Sequence, residues 1–169
     1  GIGCMRAFWR RGEKGTLMHA DARGYKHSKT TDTILKGFYT VYNTLGYGFL
    51  EKVYSNALAL ELRKLGLTVV QESRIAVHYG GLVVGEYFAD LVVNDAVIVE
   101  LKAAKTLAAE HEAQLLNYLK ATPYEVGLLL NFGPKPQIKR KAFDNARKGS
   151  MSWLADKPNQ VNSDPCDQR

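Results

Sequence analysis

Two early segments of the chain carry apolar residues at the spacing of an amphipathic helix. The first covers residues 31–45 and the second covers residues 49–65, where Gly66 ends the pattern. A glycine-containing break at residues 46–48 separates them. A third helix is predicted at about residues 107–120. The helical part of the fold is therefore expected in three pieces.

Shorter apolar runs between and after these helices predict β-strands. Three or four strands are expected across residues 68–101, with a turn at Gly80 and Gly81 inside them. Residues 126–132 are almost wholly apolar, which predicts a central strand, and residues 138–142 predict an edge strand or a short extension. The order of helices and strands favours an α/β fold with a mixed central β-sheet flanked by helices.

One predicted hairpin, residues 87–102, contains three charges in an otherwise apolar run. Two buried strands are expected around a turn at Asn94 and Asp95, and Asp90, Glu100 and Lys102 lie within those strands. Charged side chains are rarely fully buried unless they are paired or bind a metal. These three residues are therefore the main candidates for a functional site.

The hairpin brings the three charges together only if its loop is irregular. Glu100 and Lys102 are two residues apart and share one face of their strand. A two-residue turn would place Asp90 opposite Val99, on the wrong face. One additional loop residue, or a bulge near Asp90, would place it opposite Glu100 instead. We predict this irregularity and the convergence of all three side chains.

Two carboxylates beside an ammonium group suit phosphodiester chemistry with a divalent metal. Magnesium prefers hard oxygen ligands and keeps several waters, so one or two carboxylates can hold it together with substrate phosphate oxygens. Lys102 would orient or deprotonate the attacking water, or stabilise developing negative charge. The alternative is a buried ion pair between Lys102 and one of the carboxylates, without catalysis. That alternative explains two of the charges well and the third poorly.

Three motifs in order resemble a known nuclease family. Asp90 followed by Glu100-Leu101-Lys102 resembles the D-x(n)-(D/E)-x-K core of the PD-(D/E)xK nuclease superfamily. The segment from Gly48 through Glu51 to Tyr54 is similar to the G-x-x-E-x-x-Y signature of the GxxExxY protein family, a RecB-like branch of that superfamily. Residues 114–119 resemble the Q-L-x-x-Y helix motif of RecB-type nucleases. The similarity covers about residues 34–141, and the chain departs from the superfamily name in having Ala89 before Asp90.

The resemblance implies a restriction-endonuclease-like core and adds two residues to the candidate site. Glu51 would be a further carboxylate that contacts the metal directly or through water, although residue physics alone favours a first-turn helix Glu. Gln114 would hold a catalytic water or a phosphate oxygen, although alone it suits an ordinary polar helix residue. The implied catalytic set is Lys102, Glu100, Asp90, Gln114 and Glu51. Of these, Asp90, Glu100 and Glu51 are the expected metal ligands, for Mg²⁺ with Mn²⁺ able to substitute.

Three neighbouring residues have open roles. Tyr54, three residues after Glu51, would support it or pack nearby, or would simply be a half-buried tyrosine. His111 lies one helical turn before Gln114, but a lone histidine is usually structural or solvated. Lys105 would contact phosphate or be a solvated loop charge. We leave all three outside the expected catalytic set.

Charge is concentrated at the two ends of the chain, whose formal net charge is +6. Residues 1–29 hold seven basic residues against two acidic ones, and residues 133–169 hold eight against four, whereas residues 30–132 hold eight against eleven. Basic ends could contact a nucleic-acid backbone or be solvated tails. We expect a disordered basic extension at residues 1–28, a nuclease-like domain at 29–145 and a flexible tail at 146–169.

The expected function is divalent-metal-dependent hydrolysis of phosphodiester bonds, with DNA as the favoured substrate and the choice between DNA and RNA left open. The alternative is a non-catalytic nucleic-acid- or protein-binding module that keeps the nuclease fold. Cys4 and Cys166 lie near the ends, and no apolar run approaches the length of a membrane span, so a reducing cytoplasm without membrane association is expected. Oligomeric state stays open.

Overall fold

Two helices begin the part of the chain that the computed structural model describes, residues 26–148. Helix α1 covers Ser28–Leu45 and helix α2 covers Glu51–Lys64. The break between them is sharp because Gly46 and Gly48 have φ angles of 67° and 111°, a region that residues with a side chain seldom adopt. Both helices therefore match the predicted amphipathic segments.

Five strands and a third helix follow, in the order expected for an α/β fold. They are β1 (Val69–Tyr79), β2 (Leu82–Val93), β3 (Val97–Lys102), α3 (Ala109–Lys120), β4 (Val126–Asn131) and β5 (Gln137–Ala142). The sheet order is β1-β2-β3-β4-β5, with β3 and β4 parallel and the other neighbours antiparallel. The predicted mixed sheet flanked by helices is confirmed. Strand β4 lies inside the sheet as an apolar strand should, but the middle position belongs to β3.

The sheet separates two hydrophobic clusters. One cluster contains side chains of α1 and α2, including Phe38 and Leu58, packed on Leu91, Val99 and other residues of β2, β3 and β4. The second contains Leu115 and Leu119 of α3 with residues of the opposite sheet face. The chain therefore forms three layers, and both sheet faces are covered near β3. This explains why β3 and β4 are nearly continuous apolar runs.

The loop between β2 and β3 has the extra residue that the candidate site requires. Val93 pairs with Val97, so three residues, Asn94 to Ala96, form the loop. Asn94 and Asp95 both adopt left-handed backbone angles, with φ of 52° and 50°. The register continues through Leu91 opposite Val99, which places Asp90 level with Glu100. The predicted irregularity is confirmed.

A second irregularity lies where β2 leaves β3. Ala89 packs in the cluster beside α3, whereas Leu91 packs in the cluster beside α1 and α2, so the normal alternation is broken at Asp90. Opposite Asp90 on β1, Glu72 has a φ of 52° and is skipped in the β1–β2 pairing. An ion pair between Glu72 and Lys52 fixes this kink to the first turn of α2. The β1–β2 hairpin beyond this point therefore diverges from β3 and opens a cleft.

The two ends of the described chain are tied to each other. The Lys26 ammonium contacts Glu125 at 3.0 Å and Asp144 at 2.8 Å. A short 3-10 turn follows β5 at Asn145–Arg147, and the Lys148 amine donates to the carbonyl oxygens of Thr122 and Tyr124. Almost all of the extension and the tail predicted at residues 1–28 and 146–169 lies outside the described residues. No helix within residues 26–148 has the length and apolar character needed to cross a bilayer.

Candidate active site

Asp90, Glu100 and Lys102 meet at the point where β2 separates from β3. Glu100 and Lys102 share the α3 side of β3, and the Lys102 Nζ lies 3.3 Å from Glu100 Oε1. The Asp90 carboxylate accepts a 2.7 Å hydrogen bond from the backbone N–H of Leu101. This bond replaces a backbone contact that β2 no longer makes after leaving the ladder, and it holds Asp90 beside Glu100.

Glu100 is the most strongly perturbed acid of this group. Its side chain is only 5% exposed, and burial together with the negative charge of Asp90 raises its pKa to about 7, against smaller lowering effects of Lys102 and of the Asp90 backbone N–H. Its Oε2 atom is buried and has no hydrogen-bond partner among the described residues. A buried carboxylate oxygen without a partner is costly, so the Lys102 contact alone does not satisfy this side chain.

Asp90 is perturbed in the same direction. Burial raises the pKa of its carboxyl, while the Leu101 N–H and the Lys102 charge lower it and the charge of Glu51 raises it further. Asp90 and Glu100 therefore sit in a region that disfavours negative charge unless a cation is present. Lys102 is one cation beside two carboxylates.

Glu51 approaches the site from α2. It is the first residue of that helix, and its Oε1 accepts a hydrogen bond of 3.2 Å from the backbone N–H of Ala103, directly after Lys102. A negative side chain in the first helical turn is also favoured by the helix dipole. Glu51 is thus near the end of β3 and within electrostatic reach of Asp90, as predicted, but much more exposed than Glu100.

Tyr54 is a structural residue that positions the turn before Glu51. It is fully buried, and its ring stacks on Phe132 with a centroid distance of 4.2 Å and an interplanar angle of 11°. Its hydroxyl donates to the carbonyl oxygen of Gly46 and accepts from the N–H of Phe49. The expectation of a half-buried tyrosine is wrong, because Tyr54 is fully buried, and its support of Glu51 stays a prediction.

Gln114 reaches the site through Tyr118. Its Nε2 donates a 2.6 Å hydrogen bond to the Tyr118 hydroxyl. Burial raises the pKa of that phenol, Gln114 lowers it, and the charges of Glu100 and Asp90 raise it further, which places Tyr118 within electrostatic reach of both carboxylates. The α3 motif therefore lies on the same side of the sheet as Glu100, and Tyr118 is the residue of the motif on which both carboxylate charges act. His111 accepts a hydrogen bond from the Ala108 N–H at the start of α3, which is a structural role, and Lys105 lies exposed in the preceding loop.

Asn131 was not anticipated and holds the loop after Lys102. Its buried amide accepts from the N–H of Ala104 and donates to the carbonyl oxygen of the same residue, both at 2.9 Å. Gln137 extends this clamp by accepting from Asn131 and from the N–H of Leu107. Gly133 lies so close that an added Cβ would be 2.0 Å from the Ala104 oxygen. In the sequence, the only sign of this role is that one uncharged polar residue, Asn131, interrupts an apolar run shortly before Gly133 and Pro134.

The donor set fits a magnesium-type cation that keeps part of its water shell. The buried Oε2 of Glu100 lacks a partner, and the adjacent Asp90 supplies a second hard oxygen ligand. Within residues 26–148, no three His, Cys, Asp or Glu side chains are grouped closely enough to hold an ion together. Two carboxylates with water and phosphate oxygens are sufficient for Mg²⁺. Direct coordination by Glu51 gains no support from this geometry, and a water-mediated role stays a prediction.

Comparisons with known proteins give one family and one weak structural similarity. A family model described as the PD-(D/E)XK nuclease superfamily matches residues 28–141. No curated protein matches the sequence significantly. A crystal structure of a protein named SSO0001 is similar over 73% of this chain and 84% of its own, with 16% identity and a TM-score of 0.37, too low to add to the fold assignment. The family match spans every candidate site residue.

Proposed function

Because the chain belongs to the PD-(D/E)XK nuclease superfamily, we propose that it is a Mg²⁺-dependent nuclease that hydrolyses phosphodiester bonds in DNA. The G-x-x-E-x-x-Y and Q-L-x-x-Y motifs further support a place in the GxxExxY family and the RecB-like branch. A cytoplasmic location is part of this proposal, as is Mn²⁺ as a substitute ion.

One observation carries the proposal: the buried, unpartnered Oε2 of Glu100 beside a second carboxylate. A structural ion pair would use Lys102 to neutralise one acid and would leave no buried oxygen without a partner. Here a second acid, Asp90, is held against the pair by the Leu101 N–H. The arrangement has an excess of negative charge that a divalent ion would balance.

The roles of the side chains follow from their positions. Asp90 and Glu100 would hold the ion, which when bound lowers the pKa of a coordinated water and offsets charge developing on the phosphate. The Lys102 ammonium, 3.3 Å from Glu100, would orient the attacking water or stabilise negative charge on the phosphate oxygens. Gln114 and Tyr118 would hold a water or phosphate oxygen on the α3 side. Glu51 would bind a water of the ion's shell from the α2 side.

The test is metal-dependent cleavage of defined substrates. Labelled single- and double-stranded DNA and RNA are incubated with pure protein in Mg²⁺, Mn²⁺ or EDTA, alongside Asp90→Asn and the matched variant Asp32→Asn on the exposed surface of α1. We expect cutting of DNA with either ion, none in EDTA, and a loss of roughly 100-fold or more in Asp90→Asn alone. Cutting that persists in EDTA or in Asp90→Asn would overturn the site assignment. Binding without cutting under every metal would favour the non-catalytic module.

A further inference from the structure

A cavity lies between the diverging β1–β2 hairpin and helix α3, and Gln114 of the candidate site is part of its lining. Its volume is about 680 Å³, within the roughly 300–1,000 Å³ typical of small-ligand sites. Its apolar walls come from both elements, with Val84 and Tyr87 on the hairpin and Ala113 and Tyr118 on the helix. The cavity exists because the break at Asp90 turns the hairpin away from β3. Its shape and the active site thus have the same structural origin.

Two residues join this cavity to the acidic pair. Gln114 and Tyr118 both line it, and they are hydrogen-bonded to each other. Tyr118 also packs in the same hydrophobic cluster as Ala89, the residue next to Asp90. Burial raises the pKa of its phenol, and the charges of Glu100 and Asp90 raise it further. If a nucleic acid placed one of its phosphates at the carboxylates, a group of the same strand next to that phosphate could therefore enter the cavity.

The lining suits a flat aromatic group with polar edges. Tyr87 is 50% exposed, and its ring lies 5.7 Å from the Tyr118 ring, so one aromatic surface remains open to stacking. The amides of Gln114 and Asn117 line the same cavity and can both donate and accept hydrogen bonds. Aromatic stacking combined with edge contacts is how proteins bind unpaired nucleobases.

We propose that this cavity takes one unpaired nucleobase next to the cleaved phosphate, so that the enzyme acts on single-stranded nucleic acid or on strands that are opened at an end. This inference rests on the proposed nuclease function, because only a nuclease has a phosphate that is cleaved. The base site itself is tested by binding alone. A base in an intact duplex is stacked and paired, so it could enter only after being unstacked and unpaired.

The test compares strands with and without bases, in EDTA and low salt. Fluorescence anisotropy measures binding of a labelled single-stranded oligothymidylate and of an abasic strand with the same length and phosphate charge. We expect wild type to bind the base-bearing strand about 10-fold more tightly, the scale of one base–aromatic stack. Equal binding of the two strands, or binding of neither, would overturn the proposal, and equal binding would leave the apolar cavity to a protein partner.

Two variants test the cavity itself against a matched control. Ala113→Trp fills the cavity, and Tyr87→Ala removes its stacking surface, while Ala109→Trp adds the same ring to an exposed position of α3 that does not line the cavity. Ala113→Trp and Tyr87→Ala should abolish the preference for bases, and Ala109→Trp should keep it. A retained preference in both cavity variants would overturn the proposal. If the binding results hold but no strand is cut with Mg²⁺ or Mn²⁺, the nuclease function fails and the base site stands.

Discussion

Replacing Glu100 by glutamine tests whether burying the ionised carboxylate lowers the stability of the metal-free protein. The folded protein raises the pKa of Glu100 from 4.5 to about 7. A raised folded pKa means that protonated Glu100 stabilises the metal-free protein. That stability is fully present below pH 4.5 and is lost as the pH rises through 7. Glutamine does not ionise, so Glu100→Gln escapes this loss.

The expected magnitude follows from the same shift. The change from 4.5 to about 7 corresponds to about 3 kcal/mol in total, and roughly 2–3 kcal/mol of it develops between pH 5 and pH 8.5. The attraction between Lys102 and ionised Glu100 is already contained in this shift, because it lowers the pKa of Glu100. Comparing the variant with wild type at both pH values removes any difference between glutamine and protonated glutamate that does not depend on pH.

Urea unfolding in EDTA at pH 5 and pH 8.5 measures this difference. We expect the free energy of unfolding of Glu100→Gln, relative to wild type, to be about 2–3 kcal/mol more favourable at pH 8.5 than at pH 5. The exposed acid Glu110, changed to glutamine in the same way, is the matched control and should show almost no such difference. If Glu100→Gln gains nothing between the two pH values, the buried carboxylate with an unpartnered oxygen, on which the metal site depends, is not present.

Three further predictions concern the ion and the scaffold around it. Mg²⁺ should raise the melting temperature of wild type, and Asp90→Asn should abolish most of that rise, whereas an equal rise in both proteins would exclude Asp90 as a ligand. Tyr54→Phe loses the hydroxyl that holds Gly46 and Phe49 and should lower the free energy of unfolding by about 1–3 kcal/mol in urea; an unchanged value would contradict the structural role. Asn131→Ala leaves both backbone groups of Ala104 unpaired and should lower the free energy of unfolding by about 2–4 kcal/mol in the same assay. A loss below about 0.5 kcal/mol would show that the loop does not depend on this clamp.

The sequence predicted the elements well because each has a strong local pattern. The three helices have apolar residues at helical spacing, and β4 belongs to an almost wholly apolar run that ends before Gly133 and Pro134. The alignment of Asp90 with Glu100 was also predictable, because either a longer loop or a bulge near Asp90 is needed to place all three charges on one face, and the structure has the longer loop. The expectation that the three charges act together therefore predicted the register between β2 and β3.

The remaining details depend on contacts between distant segments. Tyr54 is fully buried because it stacks on Phe132, which follows it by 78 positions, and no local pattern reports that packing. The left-handed backbone of Glu72 lies opposite Asp90, where β2 leaves β3, and its side chain contacts Lys52 of α2. The Asn131 clamp likewise closes on a loop that a separate strand supplies. Each of these is a tertiary effect on a residue whose local sequence is ordinary.

Single-turnover cleavage by Lys102→Ala is the most direct test of the central claim, that this hairpin carries out phosphodiester hydrolysis. The variant keeps both carboxylates, and its fold is checked by circular dichroism and by its metal-dependent melting, because removing one member of a buried pair can destabilise a protein. Lys36→Ala on the exposed surface of α1 is the matched control. We predict that Lys102→Ala cleaves DNA roughly 100-fold or more slowly than wild type while binding it almost equally well. Cleavage by folded Lys102→Ala at the rate of wild type and Lys36→Ala would contradict the account.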